Sequence, residues 1–401
     1  MERIAEDMAA LQGIGGRFSG TEGERAALHA IRQRVPTDGW LVRVEGFVAY
    51  TGLERVALGH AGLLVVIGIL GVWFPGWCVP PAALVTASLL GEATGTYSLL
   101  RRLLLKAPSY NLVARNQRPE PTGSIVLTTN LDVPRSHRPR RSGLRLAERT
   151  FQLMFWAAVL VTGGLFVRAL GDPFGPATTE VFIGLVGMLA GTILLRIAAR
   201  RPQPEGRDDA GGPAVLLELM RRFSIDPVEG VETWIAFTGA GQDDGQGVRA
   251  FLDLHRDTLV DPVFVVHLDG PARSPLIAVT AEGPVFAREH RATGPALVER
   301  LRWAGVELPE VRLFDATDAR AVTVREHRAL ALTGGDGEPT AEAARGAADL
   351  VEVLVRWFAE DVAQVADDRH HLEALGQALA DLRARARKSR RRRRQPAEEA
   401  S

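Results

Sequence analysis

The sequence predicts an α/β domain that is interrupted twice by pairs of apolar helices. Two observations predict this fold class. Four long apolar segments lie in the first half of the 401-residue chain. The remainder alternates between short β-branched segments, which are typical of strands, and amphipathic segments, which are typical of helices. A single cysteine, Cys78, excludes both an intrachain disulfide framework and a zinc site built on thiolates.

The apolar segments favour membrane helices. They are residues 57–79, 81–100, 151–167 and 181–199. Each approaches the ~20 apolar residues that a helix needs to cross ~30 Å of hydrocarbon. Because they are paired, we expect four transmembrane helices in two hairpins, within residues 57–105 and 149–200.

Charge around these segments predicts their orientation. The turns inside the two hairpins carry one basic residue, Arg168, whereas the other flanks carry thirteen Lys and Arg residues. By the positive-inside rule, the turns face outward and the soluble domain and both termini face the cytoplasm. We therefore expect a multi-pass protein of the plasma (inner) membrane of a bacterium.

Glu92 interrupts the second apolar segment. One interpretation is an ion or proton site within a helix bundle, which would suit a transporter-like role. The other is a residue near the cytoplasmic side that reaches toward Arg101, Arg102 or water. The apolar segments offer no second carboxylate and no basic partner, which favours the second interpretation.

The soluble portion reads as alternating helices and strands. Thr21 can cap a helix over residues 22–34, and Pro339 precedes a long helix over residues 340–365. We predict further helices at 213–223, from 247, and at 294–303, and strands at 40–48, 110–115, 124–129, 233–237, 263–268, 274–280 and 329–332. The predicted domain is discontinuous and comprises residues 1–56, 106–148 and 201–366, followed by a helical, then basic and partly disordered tail over residues 367–401.

Several short motifs in this portion resemble metallopeptidase family twenty-eight. Gly16-Arg17-Phe18-Ser19-Gly20-Thr21 resembles the opening of these zinc-dependent aminopeptidases and glutamate carboxypeptidases. The strand before Asp132, the turn at Asp208 to Gly212 and the strand before Asp269 resemble later family motifs, in the same order. The resemblance covers nearly all of the soluble portion. It implies a three-layer, zinc-exopeptidase-like (phosphorylase/hydrolase-like) domain with a mixed central sheet.

The resemblance also implies a site at the strand ends. The family holds two zinc ions with histidines and carboxylates, and a Glu acts as the general base on a bridging water. Residue by residue, Asp208 falls on the bridging Asp and Asp269 on the second Asp. Asp132 falls on the residue that orients the first His. The other implied positions carry Asn130 for the first His, Gln242 for the metal-binding Glu and Gly241 for the general base.

These substitutions predict a degenerate metal site. An amide oxygen is a poor zinc ligand beside imidazole or carboxylate, and Gly241 has no side chain. The turn that should carry the last His, residues 333–338, contains none. We therefore expect no catalytic residue, no bound metal and no cofactor. A shifted alignment could place Asp243 or Asp244 at the Glu positions, but the histidines would remain absent.

The basic tail and the insertions both point toward the membrane. Arg390, Arg391, Arg392, Arg393 and Arg394 end a strongly basic stretch without aromatic residues. This favours contact with anionic lipid, or a solvated tail, over nucleic-acid binding. If the strands at 110–115 and 124–129 pair as a hairpin, both insertions leave from the sheet edge that carries the site.

The sequence therefore predicts a membrane-embedded, peptidase-like pseudoenzyme with a binding or scaffolding role. Its expected partners are the bilayer and a peptide, a protein or a lipid headgroup at the degenerate pocket, with no nucleic acid. One alternative is an active membrane-bound metallo-aminopeptidase with a rearranged zinc site. A further alternative is a transporter-like role of the four spans.

Overall fold

A computed structural model describes most of the chain. The described residues are 1–50, 53–97, 99–104, 106–133, 144–171, 176–198, 210–242, 244–283, 285–290, 293–313 and 317–365. The strands are β1 (Leu41–Tyr50), β2 (Lys106–Asn116), β3 (Ser124–Asn130), β4 (Glu232–Thr238), β5 (Val263–Asp269), β6 (Leu276–Glu282), β7 (Arg288–Glu289), β8 (Glu310–Leu313) and β9 (Arg328–Gly334). The helices are α1 (Glu2–Gln12), α2 (Glu22–Arg32), α3 (Leu53–Gly71), α4 (Pro75–Thr94), α5 (Leu100–Leu104), α6 (Leu144–Ala169), α7 (Pro176–Ala198), α8 (Gly211–Ile225), α9 (Gln246–Leu254), α10 (Thr293–Trp303), α11 (Asp318–Val324) and α12 (341–365).

All the described strands form one mixed sheet, as predicted. Its order is β1-β2-β4-β3-β5-β9-β6-β7, with β8 beside β6. Strands β4, β3, β5 and β9 are parallel. Strand β2 runs antiparallel to β1 and β4, and β6 runs antiparallel to β9 and β7 but parallel to β8. The expected hairpin between β2 and β3 is wrong, because β4 lies between them. Strands β3 and β4 are buried along almost their whole length, so each takes a neighbour on both sides at the centre of the sheet.

Helices cover both faces of the sheet and give three layers. One apolar core joins β-strand side chains to helices α1, α2, α8, α10 and α12. The opposite core joins them to α9 and α11. The sequence did not predict α1, α11, β7 or β8, which are short or lie at the periphery.

Helices α3, α4, α6 and α7 pack around a separate apolar core. Two of them, over Phe151–Ala169 and Ala177–Leu195, are long and apolar enough to cross a membrane by length and composition. Among the described residues, two of the four predicted spans are therefore helices that could cross a membrane. The apolar part of α3, Arg55–Gly71, is shorter, and α4 contains two internal prolines and Glu92.

The first hairpin ends earlier than predicted. Helix α4 stops at Thr94, and Gly95 caps it in a left-handed conformation with φ of 69°. The chain then folds back along α4, and the Tyr97 hydroxyl donates a hydrogen bond to the Ala87 carbonyl at 2.8 Å. Residues 96, 97, 99 and 100, which the sequence assigned to the span, therefore lie beside the helix instead of extending it.

Both insertions leave the sheet at one edge. Tyr50, before the first hairpin, pairs with Lys106, after it. Strand β2 runs antiparallel to β4, so this pair lies at the edge where β3, β4, β5 and β9 end. The second hairpin follows β3, and the chain returns at α8, where a side chain at Gly212 would touch Thr129. The expected edge is therefore correct although the expected β2–β3 pairing is wrong.

Candidate functional site

Asp132 lies at this edge, two residues after the end of β3, and its carboxylate anchors a loop. It accepts hydrogen bonds from the Ser19 hydroxyl at 2.7 Å and from the Gly241 and Gln242 amides at 2.8 and 3.1 Å. The side chain is buried, with 3% exposed. These contacts commit Asp132 to holding the loop after β4, which comprises residues 239–242, 244 and 245 and is called the site loop below.

Glu24 supports the same loop and was missed in the sequence. Its carboxylate is buried and accepts hydrogen bonds from the Ala240 amide at 2.8 Å, the Gly20 amide at 2.9 Å and the Ser109 hydroxyl at 3.0 Å. A signal existed, because Thr21-Glu22-Gly23-Glu24 fits a capping box that brings a Glu back over the start of a helix. Asn111 accepts from the Gly239 amide at 3.1 Å, so every amide from 239 to 242 meets a side-chain acceptor.

Asn130 fills the space beside Gly241. A Cβ atom built on Gly241 would lie 1.9 Å from Asn130 Oδ1 and 2.4 Å from its Cγ. The same Oδ1 lies 3.2 Å from the Thr238 hydroxyl. Position 241, where the resemblance implies a general base, therefore has neither a side chain nor room for one while Asn130 keeps this rotamer.

The other implied positions are only partly gathered. Gln242 is exposed on the site loop. Asp269 ends β5, beside β3, is half-buried and accepts a hydrogen bond from the Thr333 hydroxyl at 3.4 Å. Asp208 and the tail arginines Arg390 to Arg394 lie outside the described residues, so their predicted roles stay predictions.

The side chains present here do not fit a two-zinc centre. Asn130 offers only an amide, which packs against Gly241, and Asp132 is engaged by three donors. Within the described part of the chain, no group of three His, Cys, Asp or Glu side chains is arranged to hold a metal ion. The shifted alignment gives no replacement at Asp244, because arginines surround its carboxylate.

A second buried polar cluster lies behind the strand ends. The Thr238 hydroxyl is within hydrogen-bonding distance of Asp318 Oδ2, at 2.9 Å, as well as of Asn130. His267 Nδ1 lies 3.0 Å from the Thr128 hydroxyl and 3.8 Å from Asp318. Burial raises the pKa of the Asp318 carboxyl above its ordinary value, although His267 and Thr238 act in the opposite direction. The strand ends thus link the candidate site to a buried acid.

Arginines connect the site loop to the end of α4. Glu92 forms an ion pair with Arg101, as the second interpretation of this residue expected. Arg101 also lies 3.4 Å from Asp244 Oδ2 on the site loop. Arg249 and Arg320 contact the same carboxylate at 2.8 and 3.6 Å. These five residues are called the junction cluster below.

A polar pair inside the helix bundle was also missed. His60 Nδ1 lies 2.6 Å from the Val56 carbonyl, so it must carry the proton, and Nε2 lies 2.8 Å from the Ser88 hydroxyl. Both side chains are buried. A hydrogen bond between α3 and α4 in an apolar bundle holds the two helices together.

Comparison with known proteins gave matches only among solved structures. No protein-family model and no curated protein matches the sequence. The chain is similar to a glutaminyl cyclase from an Acidobacteriales bacterium, with 13% identity, a TM-score of 0.49, and 90% of this chain and 93% of that chain covered. The chain is also similar to a Zn-dependent exopeptidase from Parabacteroides distasonis, with 12% identity, a TM-score of 0.48, and 88% of this chain and 97% of that chain covered. A third similar structure is an aminopeptidase from Aneurinibacillus sp. strain AM-1, with 13% identity, a TM-score of 0.46, and 87% of this chain and 92% of that chain covered.

Proposed function

We propose that this protein is a membrane-anchored, peptidase-like pseudoenzyme that binds or scaffolds a partner at the degenerate site. The observation that carries this proposal is the packing of Asn130 against Gly241, which leaves a collision of 1.9 Å where a catalytic side chain would begin. Asp132, the neighbouring acid, is used to hold the site loop. The edge keeps a defined shape but has exchanged catalytic groups for structural hydrogen bonds.

The surface of the helix bundle supports the membrane part of the proposal. Large apolar side chains are exposed on all four helices, far more than a soluble protein tolerates. They include Leu63, Val66, Ile69, Leu84, Leu153, Trp156, Leu160, Phe166, Val181, Ile183 and Leu194. Helices α3 and α4 have 19 and 20 residues, and 20 residues at ~1.5 Å each span about 30 Å. All four helices are therefore proposed to lie in the bilayer.

The orientation of the bundle is proposed from its two ends. Trp73, Phe74 and Trp77 are exposed at the turn between α3 and α4, where aromatic rings suit the membrane–water interface. The opposite end meets the α/β domain, and the basic flanks place that domain in the cytoplasm. Glu92 and His60 are engaged by Arg101 and Ser88, which supports a structural role over transport.

The partner is proposed to approach from the sheet edge that faces the bundle. A peptide, a protein segment or a lipid headgroup would each reach the site there. The bilayer itself is the second partner, and the tail arginines Arg390 to Arg394 are proposed to contact anionic lipid.

Metal analysis combined with an aminopeptide hydrolysis assay tests this proposal on the full chain in lipid nanodiscs. We expect less than one zinc per chain and no turnover that a chelator removes. Asp269→Asn is the matched variant, because it removes a retained carboxylate from the implied site. Stoichiometric zinc, lost in this variant together with chelator-sensitive turnover, would establish the active-hydrolase alternative instead.

A further inference from the structure

The junction cluster joins the membrane bundle to the site loop by three separate bridges. Arg101 contacts Glu92 on α4 and Asp244 on the loop. Arg249 donates to the Gly95 carbonyl at 2.9 Å and to Asp244 at 2.8 Å. Arg320 donates to the Ala93 carbonyl and lies 3.6 Å from Asp244. Each arginine thus holds the end of α4 and the same carboxylate.

The charges of this cluster make it a stiff connection. Glu92, Arg101, Asp244 and Arg320 are each at most 4% exposed. Three guanidinium groups face two carboxylates, and the carbonyls at the end of α4 supply further negative partial charge. Removing one member leaves another charge buried without compensation, which is strongly unfavourable. The end of α4 and Asp244 therefore do not separate easily.

The site loop carries this connection on to the candidate site. Asp244 and Gly245 have φ angles of 74° and 62°, and Ala240 has 48°, so the loop contains left-handed residues that the surroundings must hold in place. On the side of the candidate site, Asp132 and Glu24 grip the amides of residues 240–242. The Gly245 amide donates a hydrogen bond to the Gly241 carbonyl at 2.9 Å, so a shift of Asp244 is passed on to the backbone beside Asn130.

We propose that the junction cluster couples the packing of α4 in the bundle to the conformation of the site loop. A partner that displaces the loop shifts α4, and a change in the packing of α4 shifts the loop. This proposal rests on the proposed binding function for its biological use, but the coupling itself is measurable without the partner. Coupling between two sites is reciprocal, so it must be detectable from either end.

The first experiment changes the site loop and measures the effect on α4. Cys78, the single cysteine of the chain, is 8% exposed near the far end of α4. Asp244→Asn is expected to raise the rate at which N-ethylmaleimide modifies Cys78 in membrane vesicles several-fold, because α4 loses its anchor. Asp253→Asn is the matched control. Asp253 is exposed and pairs with Arg325 on the same side of the domain, so this variant should leave the rate unchanged.

The second experiment changes α4 and measures the effect on the site loop. A spin label on Gln242→Cys, in a Cys78→Ser background, reports the mobility of the site loop, since Gln242 is exposed. Glu92→Gln is expected to increase this mobility. Thr86→Val breaks a different, part-buried hydrogen bond of the bundle, the 2.7 Å contact with Thr162, and should not change the mobility.

The two readouts together decide the matter. A response at both ends, absent from both controls, supports coupling. A response at one end only, or an equal response to Glu92→Gln and Thr86→Val, overturns it. Neither result depends on zinc or hydrolysis, so coupling stands or falls separately from the pseudoenzyme proposal.

Discussion

The helix bundle and the α/β domain place apolar side chains according to opposite rules. The domain encloses its apolar residues between a sheet and two layers of helices. The bundle has an apolar core as well, but it also exposes residues such as Trp156 and Ile183 on its outer surface. With the bundle in lipid, as proposed, one chain would be folded for two solvents, and the difference teaches that an exposed apolar side chain has a different meaning in each region.

A cluster of buried charge lies where these two regions meet. Inside the bundle, polar groups pair locally, as His60 does with Ser88. Between the bundle and the domain, five charged side chains form one cluster. The comparison therefore predicts that substitutions cost most at the junction, less on the outer surface of the bundle that is proposed to face lipid, and least at the candidate site.

The largest effect is expected at Arg101. Arg101→Met leaves Glu92 without its charged partner, and breaking a buried pair from one side costs about 3–5 kcal/mol. Denaturant unfolding in detergent measures this loss. Arg302→Met is the control, since Arg302 pairs with Glu310 at the surface and such pairs contribute roughly 0–1 kcal/mol. Equal losses in the two variants would show that the cluster is not special.

A smaller effect is expected when a charge is placed on the lipid-facing surface. Leu160 on α6 is 49% exposed and Leu254 on α9 is 63% exposed. Leu160→Arg should cost roughly 2.5–3.5 kcal/mol of insertion free energy. Leu254→Arg, in water, should change stability by less than about 0.5 kcal/mol. A glycosylation-based insertion assay and unfolding in detergent measure the two values. Similar tolerance at both positions would remove the case for a lipid-exposed bundle.

A third effect tests the packing of the candidate site. Gly241→Ala forces Asn130 to move and should destabilise the domain by about 1–3 kcal/mol, as overpacking does. Gly346→Ala on α12 meets open space and should stabilise by roughly 0.5–1 kcal/mol, because Ala favours a helix. Melting temperatures report both. The double variant Asn130→Ala/Gly241→Ala should recover most of the loss, and failure to recover it would place the strain elsewhere.

The subtlest effect is a change in pH dependence. Because burial raises the folded-state pKa of Asp318 above its ordinary value of 3.8, its contribution to stability is most favourable below that value and declines as the pH rises through the folded pKa. Asp318→Asn should flatten this decline when melting is followed from about pH 4 to about pH 8. Thr238→Val, which removes a hydrogen bond to Asp318, should move the decline to higher pH. A wild-type profile in Asp318→Asn would assign the decline to other groups.

Much of the fold was readable in the sequence because its signals are local. Strands β3, β4 and β5 each contain a short apolar run, and α12 begins behind a proline. The β2–β3 hairpin was predicted wrongly because a short turn of Pro and Gly permits two strands to run antiparallel without being neighbours. Strand β2 pairs with β4 and not with β3, because β3 and β4 are both buried at the centre of the sheet. Which strand lies beside β2 is therefore a property of the whole sheet.

The candidate site was readable only in part. The order of strand ends indicated Asn130, Asp132, Gly241 and Gln242, and the structure brings these four together. The roles of Glu24 and Asp318 in the site were not recognised. The capping box indicates only the start of a helix at Glu24, and the contacts that bring both residues to the site are more than fifty residues away along the chain. Glu24 meets Ala240, and Asp318 meets Thr238.

The sequence by itself determined the composition of each part: apolar helices, a mixed α/β sheet, and strand ends that carry an amide and a glycine where the resemblance implies ligands and a base. Tertiary structure alone decided that Asn130 occupies the space at Gly241 and that three arginines join α4 to Asp244. The physical reason is the distance along the chain over which each effect acts. Periodicity and residue type act over a few residues, whereas steric exclusion and the pairing of buried charges depend on distant segments that meet only in the folded chain.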